Sequence, residues 1–447
     1  MATVSLPSTR YPRPSCAFSN ISFADFHCSP DARLLHSRHV PNRHPFRLKV
    51  ASTALILLLL ALSGCHRNRF PNYPANYREF AYISNGEPGT VTVLDLVYLR
   101  QDRVIQVGRE PSGMAVNPVR DEVYAVNSGS DTVSIIDTTD NAVAATIGVR
   151  HAPFFITVAP DGKRAYVPNS GSNSVSVLDL DKRREIAVAA AGEGPGVARV
   201  SPDNRSLVVS NRIAGSVSVY SINTSPAHPL QFRATFSGCP GATDVAILPD
   251  SSKAFIACSG GHQVMDLWLA ADPASWNGRQ DAALQHDHLL CFLDVGKTPT
   301  HLALKPDGGE AFSTNFDSDT ISEIDTYNNT VLGTDAIGNR PSRAVTSGWS
   351  TNSVIPDDDG LWVSNFGAES TSLYAIDEGR VANALRTGSR PDALAFSADE
   401  HLLLVANYGS ADVSVIRMLS KDGPSLVTLL PAGMQPNDIV VKAFRAK

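Results

Sequence analysis

The sequence is short of the patterns by which many enzymes announce their chemistry. It has no Gly-rich phosphate loop, no HExxH pair and no GxSxG nucleophile elbow. Phosphoryl transfer on a P-loop, zincin-type hydrolysis and serine-hydrolase chemistry therefore lose their usual carriers. CxxCH is absent as well, which excludes covalent c-type haem by the usual route. The most apolar stretch, VASTALILLLLAL at 50–62, has 13 residues, fewer than the about 20 that a membrane-spanning helix requires. Charged residues are only 18% of the chain while hydrophobic ones reach 43%. That balance excludes disorder for most of the chain and supplies a large core.

The formal charge is −6, but residues 1–64 are basic, so 31 basic and 42 acidic residues remain beyond them. A body at −11 repels phosphate backbones, and nucleic acid is not expected as a partner. No motif calls for a cofactor or a metal ion.

What the sequence does have is one phrase repeated eight times from Phe80 onward. AYISNG, VYAVNSG, AYVPNSG, LVVSNR, AFIACSG, AFSTNF, LWVSNF and LLVANYG place Asn85, Asn127, Asn169, Asn211, Cys258, Asn315, Asn365 and Asn407 equivalently. The steps between them are 42, 42, 42, 47, 57, 50 and 42 residues. Each phrase is followed by an alternating strand such as VSVLDL, by a run ending in glycine, and by a run opened by proline, as in TPTHLALKPDG. PDG and PDN suit tight turns. Four short antiparallel strands per unit of about 42 residues mark a propeller blade. The ladder asparagines and the aspartates of VLDL, IIDT and EIDT read as turn formers, not as a ring of ligands.

YVPNSGSNSVSVLDL preceded by APDGKRA resembles the YVTN-type β-propeller repeat of bacterial and archaeal surface proteins, over residues 80–447. The expected fold is all-β: a single propeller of four-stranded antiparallel blades, eight by count, where the resemblance implies seven. The array opens on a second strand at Phe80 and ends on an isolated first strand, QPNDIVVKAF, which should complete the first blade and close the ring. The resemblance further implies that the loop entering each innermost strand lies on the ligand-bearing face. Arg109, Glu110, His151, Glu193, Lys297, Arg340 and Arg390 hold those places, with His301, Arg343, Asp392 and Asp438 at nearby strand starts. They form either a polar pocket or an ordinary solvated rim.

Cys239 and Cys258 lie toward one end of the fifth unit, and export would permit a disulfide between them, with two buried thiols as the alternative. The same unit is lengthened by residues 262–291, where His286, Asp287 and His288 are adjacent and so would not converge on a metal without a turn.

Arg43, Arg47 and Lys49 before the apolar run give residues 1–64 the character of a signal segment, and Leu62-Ser63-Gly64-Cys65 resembles the bacterial lipobox. That resemblance implies a diacylated Cys65, a tether over 65–79, a bilayer as partner and an exported, envelope-anchored protein on the outer membrane or facing the periplasm. The first 39 residues suit a start at Val40, or alternatively an organellar transit peptide.

With no catalytic constellation, the expected function is a noncatalytic binding or scaffolding propeller for an envelope protein or small ligand, as a monomer. The first alternative resembles propeller lactonases, with channel residues activating water. The second resembles the haem d1 domain of nitrite reductases, in which His151, His262 or His301 would supply the axial ligand.

Overall fold

Val, Ile, Leu, Tyr and Phe alternate with Ser and Thr in segments of six or seven residues, which is how a pleated, half-buried strand is written. A computed structural model describes residues 71, 73–225, 227–270, 282–347, 360–418 and 423–446. The expectations for residues 1–64 and Cys65, and for part of the 262–291 insertion, lie outside the described residues. Among the described residues, 32 strands form eight four-stranded antiparallel sheets, with one turn of 3-10 helix at Ala282–Gln285. No helix there is long and apolar enough to cross a membrane.

Blade 1 contains β1 (Tyr77–Asn85), β2 (Thr90–Asp95) and β3 (Arg100–Gln106), with β32 (Pro436–Arg445) as its innermost strand. Blades 2 to 8 follow chain order, and their innermost strands are β4 (Pro111–Val116), β8 (Thr157–Val158), β12 (Pro195–Val200), β16 (Ala242–Ile247), β20 (Pro299–Leu304), β24 (Pro341–Thr346) and β28 (Pro391–Phe396). Each neighbours the next, and β32 lies between β28 and β4. The ring therefore has eight blades and is closed by its last strand, with Ala81 opposite Val441 and Ile83 opposite Ile439. Closure leaves no blade without its inner strand.

β1 opens at Tyr77, so residues 77–79 of the stretch expected as tether are strand. The chain just before it is fastened to blade 8. Tyr73 stacks on Tyr77 with centroids 4.6 Å apart and donates to Asp399 at 2.6 Å, while the Ala398 N–H donates to the buried Glu79 at 2.6 Å.

Two columns of side chains hold each blade. Three residues before the ladder position stand Tyr82, Tyr124, Tyr166, Phe255, Phe312 and Trp362, all fully buried between blades. Truncating one to alanine costs about 3–5 kcal/mol. The ladder asparagines are buried too, and their role is larger than turn formation. Each amide donates across its hairpin to side chains five and seven residues on: Asn127 to Thr132 and Ser134, Asn211 to Ser216 and Ser218, Asn407 to Asp412 and Ser414. Seven blades share this clamp, because Asn85, Asn169, Asn315 and Asn365 bond alike.

A glycine three residues before the inner strand packs against the clamp. A Cβ on Gly108, Gly192 or Gly338 would lie 2.4–2.6 Å from Asn127, Asn211 or Asn365, which no real contact tolerates. In blade 5, Cys239 and Cys258 stand at these two places and are joined by a disulfide, with Cα atoms 4.7 Å apart. The close approach that forbids a side chain against asparagine is the distance a disulfide spans.

Candidate functional site

The channel mouth is built by a bulge repeated around the ring. Where the inner strand pairs with its neighbour, the register shifts just after its first residue: between Pro111 and Gly113, Ala242 and Asp244, Pro299 and His301, and Pro341 and Ala344. A bulge re-aims side chains, and here it turns the second and third residues of the strand toward the axis. The resulting cavity, of about 320 Å³, is lined by Ser112, Phe154, Phe155, Val197, Arg199, Arg212, Thr243, Asp244, Thr300, His301, Phe316, Ser342, Arg343, Phe366, Asp392 and Asp438.

One arc of this lining is ionic. The Arg343 guanidinium lies 3.7 Å from Asp392 and 3.5 Å from Asp438, while Arg199 lies 3.7 Å and His301 3.6 Å from Asp244. Three of these side chains also join neighbouring blades in one manner. The next strand's backbone N–H donates to Asp244 (from Leu302, 3.0 Å), to His301 Nδ1 (from Ala344, 3.4 Å) and to Asp438 (from Met114, 2.8 Å). Asp244 and Asp438 each accept a second N–H, from Val245 and Ile439.

These contacts set the protonation states. Burial drives the His301 imidazole down to about 4, with Arg343 and Arg199 adding to the fall and Asp244 opposing it, so it is neutral at pH 7. Because Nδ1 accepts the Ala344 N–H, the ring proton sits on Nε2, facing Asp244. Burial works against the Asp244 carboxylate, but His301, Arg199 and the two N–H groups outweigh it and hold the carboxyl below its ordinary value. Burial prevails at Asp438, whose carboxyl is raised despite Arg343. Desolvation opposes the Arg343 charge, yet Asp392, Asp438 and Asp244 together raise its pKa, so the cation is fixed.

The other arc is apolar. Gly113, Phe155 and Val197 stand where the ionic arc carries Asp244, His301, Arg343 and Asp438. In blade 3 the inner strand shrinks to Thr157–Val158 plus a bridge from Pro153 to Asn169, and the freed chain brings Phe154 and Phe155 to the cavity. Gly113 makes room, since a Cβ there would lie 3.1 Å from the Phe154 carbonyl oxygen. Arginines cover both rings: Arg199 lies 4.7 Å from the Phe155 centroid and Arg212 5.0 Å from that of Phe154. Above the ionic arc, Phe316, Phe366 and Tyr408 run in series with centroids 6.1 and 6.3 Å apart.

Of the residues the sequence offers, His301, Arg343, Asp392 and Asp438 come together in the cavity. Arg340 and Arg390 stay exposed at the rim and stack on Phe316 and Phe366 at 5.6 and 6.0 Å. Arg109, Glu110, His151, Glu193 and Lys297 are exposed and outside the cavity lining, and His151 pairs with Asp131 at 3.3 Å. Glu110, Arg340 and Arg390 share a positive φ of 51–52° at the residue before the proline, a turn geometry repeated in other blades. Sequence reasoning passed over Asp244, Arg199 and the four phenylalanines. Asp244 escaped because its strand opens on Ala242 instead of proline; aligning the third strand residue of every blade would have found it.

Of the three histidines that a haem reading needs, only His301 lines the cavity. His301 has both ring nitrogens directed at protein groups, His151 is exposed and paired outside the cavity, and His262 Nδ1 accepts the Thr298 N–H at 3.1 Å. In the insertion, Asp287 is tied to Arg233 and to the Ala270 N–H, and His288 stacks on Trp268. No group of three metal-ligating residues occurs among the described residues.

Residues 106–240 match the family described as "Lactonase, 7-bladed beta-propeller". No curated protein sequence matches the chain. Among solved structures, it is similar to the dihydro-heme d1 dehydrogenase NirN, at 15% identity, covering 84% of this chain and 77% of that one with a TM-score of 0.64. It is similar also to a putative 6-phosphogluconolactonase from Bacteroides fragilis, at 13% identity, 83% and 100% coverage and a TM-score of 0.54. A functionally unknown protein from Desulfotomaculum acetoxidans aligns at 16% identity, 72% and 98% coverage and a TM-score of 0.52. At these identities the likeness is one of fold.

Proposed function

We propose that the chain is a noncatalytic binding propeller that receives a small polar ligand in the channel mouth. Hydroxyl, amine or carboxylate groups of the ligand meet Asp392 and Arg343, and a less polar side rests on Phe154 and Phe155. One observation carries the reading: three of the four acid or imidazole groups lining the cavity, Asp244, Asp438 and His301 Nδ1, already accept N–H bonds from the next blade, which leaves Asp392 alone as a candidate base. A base occupied in holding the ring is a poor proton acceptor for water.

Lactone hydrolysis is the second reading. It is favoured by the lactonase match and by Asp392, whose carboxylate lines the cavity and accepts no hydrogen bond among the described residues. A thermal-shift screen of sugar acids, amino acids and their lactones, repeated with Arg343→Gln and Asp392→Asn, separates the two. Binding that these substitutions abolish, without turnover, supports the module. Lactone turnover that Asp392→Asn removes supports the hydrolase, and a ligand indifferent to both substitutions overturns both.

The same proposal places the chain at the cell envelope, lipid-anchored through Cys65. The apolar run, the lipobox-like LSGC, the resemblance to YVTN-type surface repeats and a disulfide suited to an oxidising compartment support it. Mass spectrometry should find residues 1–64 removed and Cys65 acylated, and Cys65→Ala should release the protein or leave it unprocessed; an unmodified, retained leader refutes the anchor.

A further inference from the structure

Repetition allows one blade interface to be judged against its equivalents. At the strand ends away from the channel mouth, the residue five before the ladder position ties its blade to the next in blades 2, 3 and 5. Glu122 pairs with Arg183 at 3.4 Å, Arg164 donates to the Asn223 and Thr224 carbonyls, and Lys253 donates to the Thr326 carbonyl at 2.6 Å and to Asn329 at 2.5 Å. In blade 1 that residue is Phe80, which cannot make the tie. It packs instead on Phe444, with centroids 6.2 Å apart.

A cavity of about 500 Å³ opens beside Phe80, lined by Arg78, Phe80, Asp121, Thr139, Phe444, Arg445 and Ala446. The equivalent space between blades 3 and 4 is about 190 Å³, and its lining includes the Arg164 that ties those blades. The charge in the larger cleft is one-sided. Lys442 lies 3.9 Å from Asp121 and offsets it, leaving two guanidinium groups. Arg78 is oriented by donation from Nη1 to the Ala75 and Tyr77 carbonyls at 3.1 and 2.9 Å. Arg445 is exposed and has no ion pair among the described residues.

We propose that this cleft between blades 1 and 2 binds an anionic group carried on an apolar body, the anion against Arg78 and Arg445 and the body against Phe80 and Phe444. Guanidinium forks match carboxylate, sulfonate and phosphate oxygens, and the two rings supply a stacking wall. The site is separate from the channel mouth and stands or falls independently of it. An aromatic acid in solution and a phospholipid headgroup with its acyl chains share this chemistry.

The test is a fluorescence titration of the full chain with 1-anilinonaphthalene-8-sulfonate, an aromatic sulfonate. Arg78→Gln with Arg445→Gln should raise its Kd about tenfold or more, as loss of charge-assisted bonds does, and Phe444→Ala should act alike. Arg343→Gln, in the other cavity, should leave it unchanged. Displacement of the probe by phenyl phosphate alone identifies a soluble acid, and displacement by phosphatidylglycerol-containing vesicles, with pure phosphatidylcholine vesicles inert, identifies a headgroup. An affinity indifferent to both arginines, or a probe that neither competitor displaces, overturns the proposal.

Discussion

Around the channel, one position of one repeat carries opposite chemistry on two arcs. From blade 5 through blade 1 it is Asp244, His301, Arg343 and Asp438, with Asp392 one residue earlier in blade 8; in blades 2 to 4 it is Gly113, Phe155 and Val197. Seven blades, drawn from both arcs, share the same bulge and only blade 3 departs from it, so most of the difference is written in side chains. On the ionic arc, acceptors receive the next blade's N–H and join the ring. On the apolar arc no such acceptor is available, the inner strand of blade 3 is reduced to two residues, and aromatic packing takes over. The lesson is that a repeat ring makes one asymmetric site by sparing its scaffold and varying one column.

The largest effect should come from removing the strand that joins the two arcs. Deleting residues 436–447 takes Asp438 and the inner strand of blade 1 together, and the protein should lose its cooperative melting transition in calorimetry. A truncated chain that melts like the full one would break the account of closure.

Next in size is the disulfide beneath Asp244. Replacing Cys239 and Cys258 with serine should cost about 2–4 kcal/mol in denaturant unfolding, the usual worth of such a bridge. Cys239→Gly with Cys258→Asn recreates the pair used by other blades and should recover part of that loss. Equal stability of the two double variants would show that the glycine–asparagine fit is not what the cysteines replace.

His301 gives a smaller effect with a defined sign. Its pKa is depressed in the folded state, from 6.5 to about 4, so the unfolded chain takes up the proton first as pH falls. The stability that neutral His301 contributes is complete above about pH 6.5 and is lost between there and about pH 4. His301→Gln retains an acceptor for the Ala344 N–H and removes the titration. Its melting temperature should therefore fall less steeply than that of the unsubstituted protein across this window, and parallel profiles would remove His301 from the pH response.

The propeller and its closure were legible because both are matters of period: a strand of fixed length, a turn, and an incomplete unit at each end. The site was legible only in part. Glu110, His151 and Glu193 are polar or ionisable residues in the loops, but those loops are turns of repeated geometry whose side chains face solvent. The bulge that moves the second and third strand residues to the axis has no sequence letter of its own, so His301, Arg343 and Asp392 could be named as neighbours but not as a cluster. The cysteine pair stayed open for a related reason. Hairpin register counts ladder positions, and the loop before β16 folds back across that count to bring Cys239 against Cys258.

The smallest effect on stability, and the sharpest on recognition, should come from the rim above the ionic arc. Arg340 and Arg390 are exposed and touch the site only through the faces of Phe316 and Phe366. Reversing both charges removes two exposed cation–π contacts, each worth about 0.5–1 kcal/mol at most, and exposed substitutions usually alter stability within about 0.5 kcal/mol. The melting temperature should therefore fall by a few degrees at most. A ligand bearing a carboxylate or phosphate enters past this rim, so the double Arg340→Glu, Arg390→Glu variant should slow its association and weaken its binding, with a salt dependence flatter than that of the unsubstituted protein. The same variant should leave a neutral ligand's affinity within twofold, the scatter expected when only exposed, screened charges change. An anionic ligand that binds both proteins alike at low salt would confine recognition to the cavity floor, where Arg343 and Arg199 supply the positive charge.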